Sequence, residues 1–130
     1  MCRMARQNFS SGTPFEPVIG YSRTVRVGSH IWVSGTTATS PAGLVGAGDV
    51  YAQTKQTLAN IQAALATAGA SLEHVVRTRM FVVDMGSSAA LSAVHGEVFA
   101  EIRPAASMVA VAALMDPSLL VEIEVDARRA

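Results

Sequence analysis

Near the end of the chain, Val121-Glu122-Ile123-Glu124-Val125-Asp126-Ala127 alternates apolar and acidic side chains without a break. Successive side chains on a strand point to opposite faces, so the segment requires a sheet with one face buried. Val121, Ile123 and Val125 belong to that buried face, and Glu122, Glu124 and Asp126 to the other. A helix would scatter the same acids around its whole circumference.

Two helical periodicities supply the cover. From Val50 to Ala68 the apolar residues Val50, Leu58, Ile61, Leu65 and Ala68 recur at steps of three and four or their sums. Asp49 is placed to cap the start, and Gly69 stands where a left-handed residue ends a helix. A second helix is expected from about Ser88 to Ile102. Its stripe is Leu91, Val94, Val98 and Ile102, with Ser87 as cap and Pro104 beyond the end.

The remaining segments read as strands. Tyr21 to Val27 alternates, Gly28-Ser29 turns, and His30 to Gly35 returns. Val75 to Val83 is rich in β-branched and aromatic residues. Ala105 to Leu114 and Leu119 to Ala127 are joined by Met115-Asp116-Pro117-Ser118, read as a hairpin loop. With a short strand near Gln7-Asn8-Phe9, the order is β-β-β-α-β-α-β-β. The fold class is α+β, a single mixed sheet with two helices on one face, in one domain spanning residues 1–130.

Alternation assigns Val76, Thr78, Met80 and Val82 to the helices and turns Arg77, Arg79 and Phe81 outward. Ala106, Met108 and Ala110 are assigned to that same uncovered face. Half of the residues are hydrophobic and only 15% are charged, against the usual quarter. A chain of this size with so little charge is expected to hide apolar surface in a homo-oligomer, with the uncovered face as the interface.

Ten basic and ten acidic residues cancel, and no basic run marks a phosphate-binding stripe, so nucleic acid is not the expected partner. The start lacks the apolar core of a signal peptide, and the longest apolar run, Met108 to Met115, is too short to span a bilayer. A lone Cys2 has no internal disulfide partner. Together these point to a cytoplasmic protein without a membrane partner. His30 and His74 show no metal-ligand spacing, and His95, at the edge of the second helix's stripe, reads as a packed side chain. Gly46-Ala47-Gly48 lacks the remaining glycines of a nucleotide loop and reads as a flexible entry to the first helix. No cofactor or metal is expected.

Six short segments, taken in order, resemble the Rid family, also called YjgF or endoribonuclease L-PSP domain proteins. They are Tyr21-Ser22, Val33-Ser34-Gly35, Gln56 to Ile61, Ala68-Gly69-Ala70-Ser71 before Val75, Arg103-Pro104-Ala105, and Val121 to Glu124. The resemblance covers nearly the whole chain. It implies a chorismate-mutase-like fold, a homotrimer, and small-molecule clefts between subunits. It further implies hydrolysis of reactive enamines and imines, such as 2-aminoacrylate, to 2-keto acids and ammonia. In that scheme a glutamate on the last strand, here Glu122, positions or activates water. Tyr21, Ser34 and Gly35 match further cleft positions.

The chain departs from the family at three places. Where an arginine should follow Pro104-Ala105 to grip a substrate carboxylate stands Ala106. A common cysteine is Met108, and an asparagine on the second helix is Ser92. A bidentate arginine–carboxylate pair is worth on the order of 3 kcal/mol, about a hundredfold in affinity. Arg79, assigned to the same face as Ala106 and Glu122, is the candidate substitute; its alternative role is an ion pair with Glu122 or Glu124. The readings therefore stand as an imine hydrolase using Glu122 and Tyr21, or a trimer that binds a small metabolite without turnover. RNA cleavage ranks last.

Overall fold

A computed structural model describes residues 5–130; Cys2 lies outside the described residues. The strands are β1 (Arg6–Phe9), β2 (Thr24–Val27), β3 (His30–Thr36), β4 (Thr39–Ser40), β5 (Gly43–Leu44), β6 (Val75–Val82), β7 (Ala105–Ala110) and β8 (Val121–Arg128). The helices are α1 (Phe15–Ile19), α2 (Val50–Thr67) and α3 (Ser88–Phe99). A six-stranded mixed sheet runs β1-β2-β3-β8-β6-β7, with β7 parallel to β6 and the other pairs antiparallel. The expected order of the main elements holds. The short helix α1 and the small β4–β5 hairpin add to it.

The caps of α2 are those expected. Asp49 accepts from the Ala52 N–H at 3.1 Å, and Gly69 takes the left-handed conformation at φ 79°. Leu58, Ile61, Ala64 and Leu65 of α2 meet Leu91, Val94 and Phe99 of α3 in one core with Ile31, Val33, Ile123 and Val125 of the sheet. The end of α3 falls at Phe99 rather than Ile102. There the Arg103 N–H reaches back to the Phe99 carbonyl at 2.8 Å, and Arg103 turns to a left-handed φ of 52° ahead of Pro104. Ser87 makes no capping bond with its side chain; Asp84 caps the preceding turn by accepting from the Gly86 N–H.

Expectations about the strands are corrected in three places: the β7–β8 connection, β6 and the faces of β7. Leu119 to Ala127 does not form a hairpin with β7: β8 inserts between β3 and β6, and β7 lies at the sheet edge. The strand also stops at Ala110 rather than Leu114. In β6, one extra residue opposite β8 makes a bulge, so Val75 is buried and Val76 is 52% exposed. From Thr78 onward the predicted alternation holds.

The third correction bears on the site. Side by side in a parallel pair, Thr78 meets Ala106, Met80 meets Met108, and Val82 meets Ala110. Thr78, Met80 and Val82 are buried, so Ala106, Met108 and Ala110 share the helix-covered face. Met108 packs against the core. Ser107 and Val109 stand on the uncovered face beside Arg79 and Phe81.

The segment before β2 is held by one buried acid. Glu16, in α1, is 3% exposed. Its carboxylate accepts from Ser11 Oγ (3.0 Å), Thr13 Oγ1 (2.9 Å), and the N–H groups of Ser11, Thr13 and Arg23. Burial works against the charge, but these donors prevail and lower its pKa to about 2. A carboxylate with a depressed pKa stabilises the fold above its unfolded value, and that contribution disappears as pH falls toward 2. Glu16→Gln replaces one acceptor by a donor and is expected to cost about 2 kcal/mol in urea unfolding at neutral pH. The loss relative to wild type should shrink in acid.

Candidate functional site

The uncovered face of the sheet collects the chain's chemistry. Glu122, Glu124 and Asp126 project from β8, Arg77, Arg79 and Phe81 from β6, and Trp32 from β3 opposite Asp126. Trp32 and Val109 remain 44% and 45% exposed, a large apolar surface for a face so rich in charge.

Glu122 owes its setting to an irregularity in β3. Between Val33 and Thr36 the pairing with β8 slips by one residue, leaving Ser34 and Gly35 in a bulge. Gly35 leaves space that the Glu122 side chain occupies. A Cβ on it would lie 2.5 Å from Glu122 Oε2 and 2.9 Å from its carboxyl carbon. The carboxyl group thus lies against the backbone at Gly35, and a side chain at that position would push it aside.

The half-buried Glu122 carboxyl has its pKa raised, first by burial and then by the neighbouring charge of Glu124, with Arg23 acting in the opposite sense. Among the described residues no hydrogen bond or ion pair engages it. A carboxyl group of raised pKa without a partner is equipped to exchange protons with a bound molecule.

Arg23, which the sequence reading did not single out, organises the surroundings. Its Nη1 donates to the Gly35 carbonyl at 2.6 Å, to Thr36 Oγ1 at 3.2 Å and, at greater length, to the Ser34 carbonyl at 3.4 Å. Its Nη2 donates to the Tyr21 hydroxyl at 3.3 Å, and its guanidinium stands 5.6 Å from the centre of that ring. Ser34 Oγ donates to the carbonyls of Ser22 and Arg23, both at 3.0 Å. Tyr21, Ser34, Gly35 and Glu122 are thus linked through Arg23 and the bulge.

Other predicted site residues fall elsewhere. Arg79 Nη1 lies 3.2 Å from Asp126 Oδ2 and 3.6 Å from Glu124 Oε1, so its charge is taken up by a cross-strand network. This is the ion-pair role, with Asp126 in addition to Glu124 and without Glu122. Ala106 and Met108 face the helices, and Ser92 is exposed on α3 in the helical layer. None of these three joins the Glu122 cluster. His95 behaves as a packed residue, its Nε2 2.9 Å from Thr78 Oγ1 and its pKa lowered by burial.

Two hollows flank the cluster. One, of about 370 Å³, is lined by Ser22, Val25, Trp32, Ser34, Arg79 and Asp126 among others. The second, of about 350 Å³, lies between β1 and α1 and is lined by Phe9, Glu16, Tyr21 and Ser22 among others. Ser22 touches both, whereas Glu122 lines neither. Among the described residues no group of three or more His, Cys, Asp or Glu side chains could hold a metal ion. No helix there is long and apolar enough to cross a membrane.

The chain has counterparts among known proteins. The Endoribonuclease L-PSP family model matches residues 12–129. A solved Mycobacterium tuberculosis member of the YjgF/YER057c/UK114 family is 46% identical, with a TM-score of 0.88 over 96% of this chain and all of that one. An uncharacterized Streptomyces coelicolor protein is 35% identical over 99% of this chain and 96% of its own length. A RutC family protein of Pyrococcus abyssi is 34% identical over 93% and 95% of the two chains. The chain belongs to the Endoribonuclease L-PSP, or YjgF/Rid, family.

Proposed function

We propose that this protein assembles as a homotrimer and hydrolyses a small reactive imine, or an enamine by way of its imine, in clefts between subunits. The observation that carries the reading is Glu122, a half-buried carboxyl of raised pKa with no partner among the described residues. The ionised carboxylate takes a proton from water as the water oxygen bonds to the imine carbon. It passes that proton to nitrogen, giving a carbinolamine. It then takes the hydroxyl proton and delivers it to nitrogen as the carbon–oxygen double bond forms and the carbon–nitrogen bond breaks, releasing the carbonyl compound and ammonia. Tyr21, tied to Arg23, supplies a hydroxyl to the same cluster.

Support for assembly comes from the uncovered face, where Trp32 and Val109 remain exposed. A carboxylate grip is not supplied by the two expected positions, because Ala106 faces the helices and Arg79 is held by Asp126 and Glu124. A substrate without a carboxylate fits this arrangement better than a 2-imino acid.

The test is to generate imines in place with an amine oxidase and, separately, with an amino-acid oxidase, and to follow ammonia release. Faster release from the amine-derived imine is expected. Acceleration of neither would overturn the hydrolase reading and favour a binding protein without turnover, the second reading consistent with Arg79's engagement.

A further inference from the structure

On the uncovered face Arg79, Glu124 and Asp126 neutralise one another. Arg23 is an exception. Its guanidinium donates only to neutral acceptors: the carbonyls of Ser34 and Gly35 and the hydroxyls of Ser11, Thr36 and Tyr21. Among the described residues no carboxylate lies within 4.0 Å of it, whereas Arg79 has two. Its backbone is anchored as well, since the Arg23 N–H donates to Glu16 Oε1 at 3.0 Å. The cation is held from both ends.

What it holds is the part of β3 that makes room for the acid. Gly35 leaves the space occupied by the Glu122 carboxyl, and its carbonyl is the shortest of the guanidinium's contacts. Were the bulge to relax into regular pairing, the next residues of β3 would shift by one position and turn to opposite faces. A positive charge set in this way beside a half-buried carboxyl also favours its ionised form.

We propose that Arg23 is the positioning residue of this site, fixing the Ser34–Gly35–Thr36 bulge against Glu122 and placing a positive charge on that carboxyl's side of the bulge. This inference rests on Glu122 as the acting group of the proposed function, but it concerns the chain's own residues and is readable without substrate. The charged groups acting on Glu122 are Glu124 on β8 itself and Arg23 from the segment before β2; the residue across from it on β6 is the uncharged Phe81, and Arg79 stands across from Glu124. The adjoining stretch of β3, Ser34 to Thr36, contributes none.

The experiment is a carbon-13 NMR titration of the Glu122 carboxyl in the full chain, assigned by its disappearance in Glu122→Gln, for wild type, Arg23→Gln and Arg23→Lys. Arg23→Gln is expected to move the titration midpoint upward and to speed amide exchange at Ser34, Gly35 and Thr36. Arg23→Lys keeps the charge but not the fork of donors. It should return the midpoint toward wild type while exchange at the bulge stays fast. An unchanged midpoint in Arg23→Gln would overturn the electrostatic role, and unchanged exchange would overturn the positioning role. If imines prove not to be substrates, a shifted midpoint still upholds the action of Arg23's charge on Glu122. If imines are hydrolysed but the midpoint stays put, the activity stands and this inference fails.

Discussion

Glu122→Gln is expected to lower imine hydrolysis by about 100- to 10,000-fold while leaving the fold intact. The amide has nearly the carboxylate's shape, so it fits the space over Gly35, where even a methyl group would collide with the side chain. It cannot take a proton from water, and the loss should appear in kcat more than in KM. The group makes no hydrogen bond among the described residues, so little stability is tied to its charge. Because burial and Glu124 raise its pKa, the ionised form is lost at a higher pH than for an ordinary glutamate. Activity of the wild type that depends on the carboxylate should therefore fall on the acid side earlier than a typical glutamate would dictate. Ammonia release measured across pH, beside thermal unfolding of both proteins, checks this. Retained turnover in Glu122→Gln would remove Glu122 from the chemistry.

One residue further along the same strand, Ile123→Ala is expected to cost about 2–5 kcal/mol of stability. Ile123 is fully buried on the helix-covered face, and its strand lies between β3 and β6 at the middle of the sheet. It meets Met80 on one side and Thr36 on the other. Truncation leaves a cavity where both neighbours are tied into pairing and cannot close in. Urea unfolding should show a lower midpoint, and a loss below 1 kcal/mol would mean that the site collapses more readily than its setting suggests. Neighbouring residues of one strand thus divide between chemistry and support, Glu122 for the first and Ile123 for the second.

That division was readable from sequence because the alternation in Val121 to Ala127 runs unbroken, and every side chain there lies on its predicted face. Parity fails where a strand gains a residue. The bulge at Val76 puts both Val75 and Thr78 on the buried side, which a strict period of two cannot do. In β7 the alternation carries too little contrast to choose a face, since Ala106, Met108 and Ala110 compete with Ser107 and Val109. Only the pairing with β6 decides, and it separates Ala106 from Arg79.

The site was partly visible for related reasons. Glu122, Tyr21, Ser34 and Gly35, named from the family resemblance, lie in one neighbourhood of the uncovered face around Arg23 and the β3 bulge. Arg23 escaped notice although it follows Tyr21-Ser22 and precedes the buried Thr24, which places it on the uncovered face. Its importance arises from the β3 bulge, a feature of pairing between distant segments that no local pattern announces. Glu16 was equally silent: an acid between Phe15 and Pro17 becomes a hub only when Ser11, Thr13 and Arg23 fold around it.

The sheet order has a consequence for how the molecule comes together. β1, β2 and β3 form one contiguous ribbon, and β6 and β7 with α3 between them form another. Within the sheet nothing joins the two except β8, which follows all the other strands along the chain. Until residues 121–128 have been made, each ribbon presents a naked edge, and Glu122 has neither the bulge nor the neighbours that set its acidity. Assembly of the sheet is thus a late, long-range event with a high cost in chain entropy. The strand that completes the fold is also the one that delivers the acid, so a half-finished chain carries no working site.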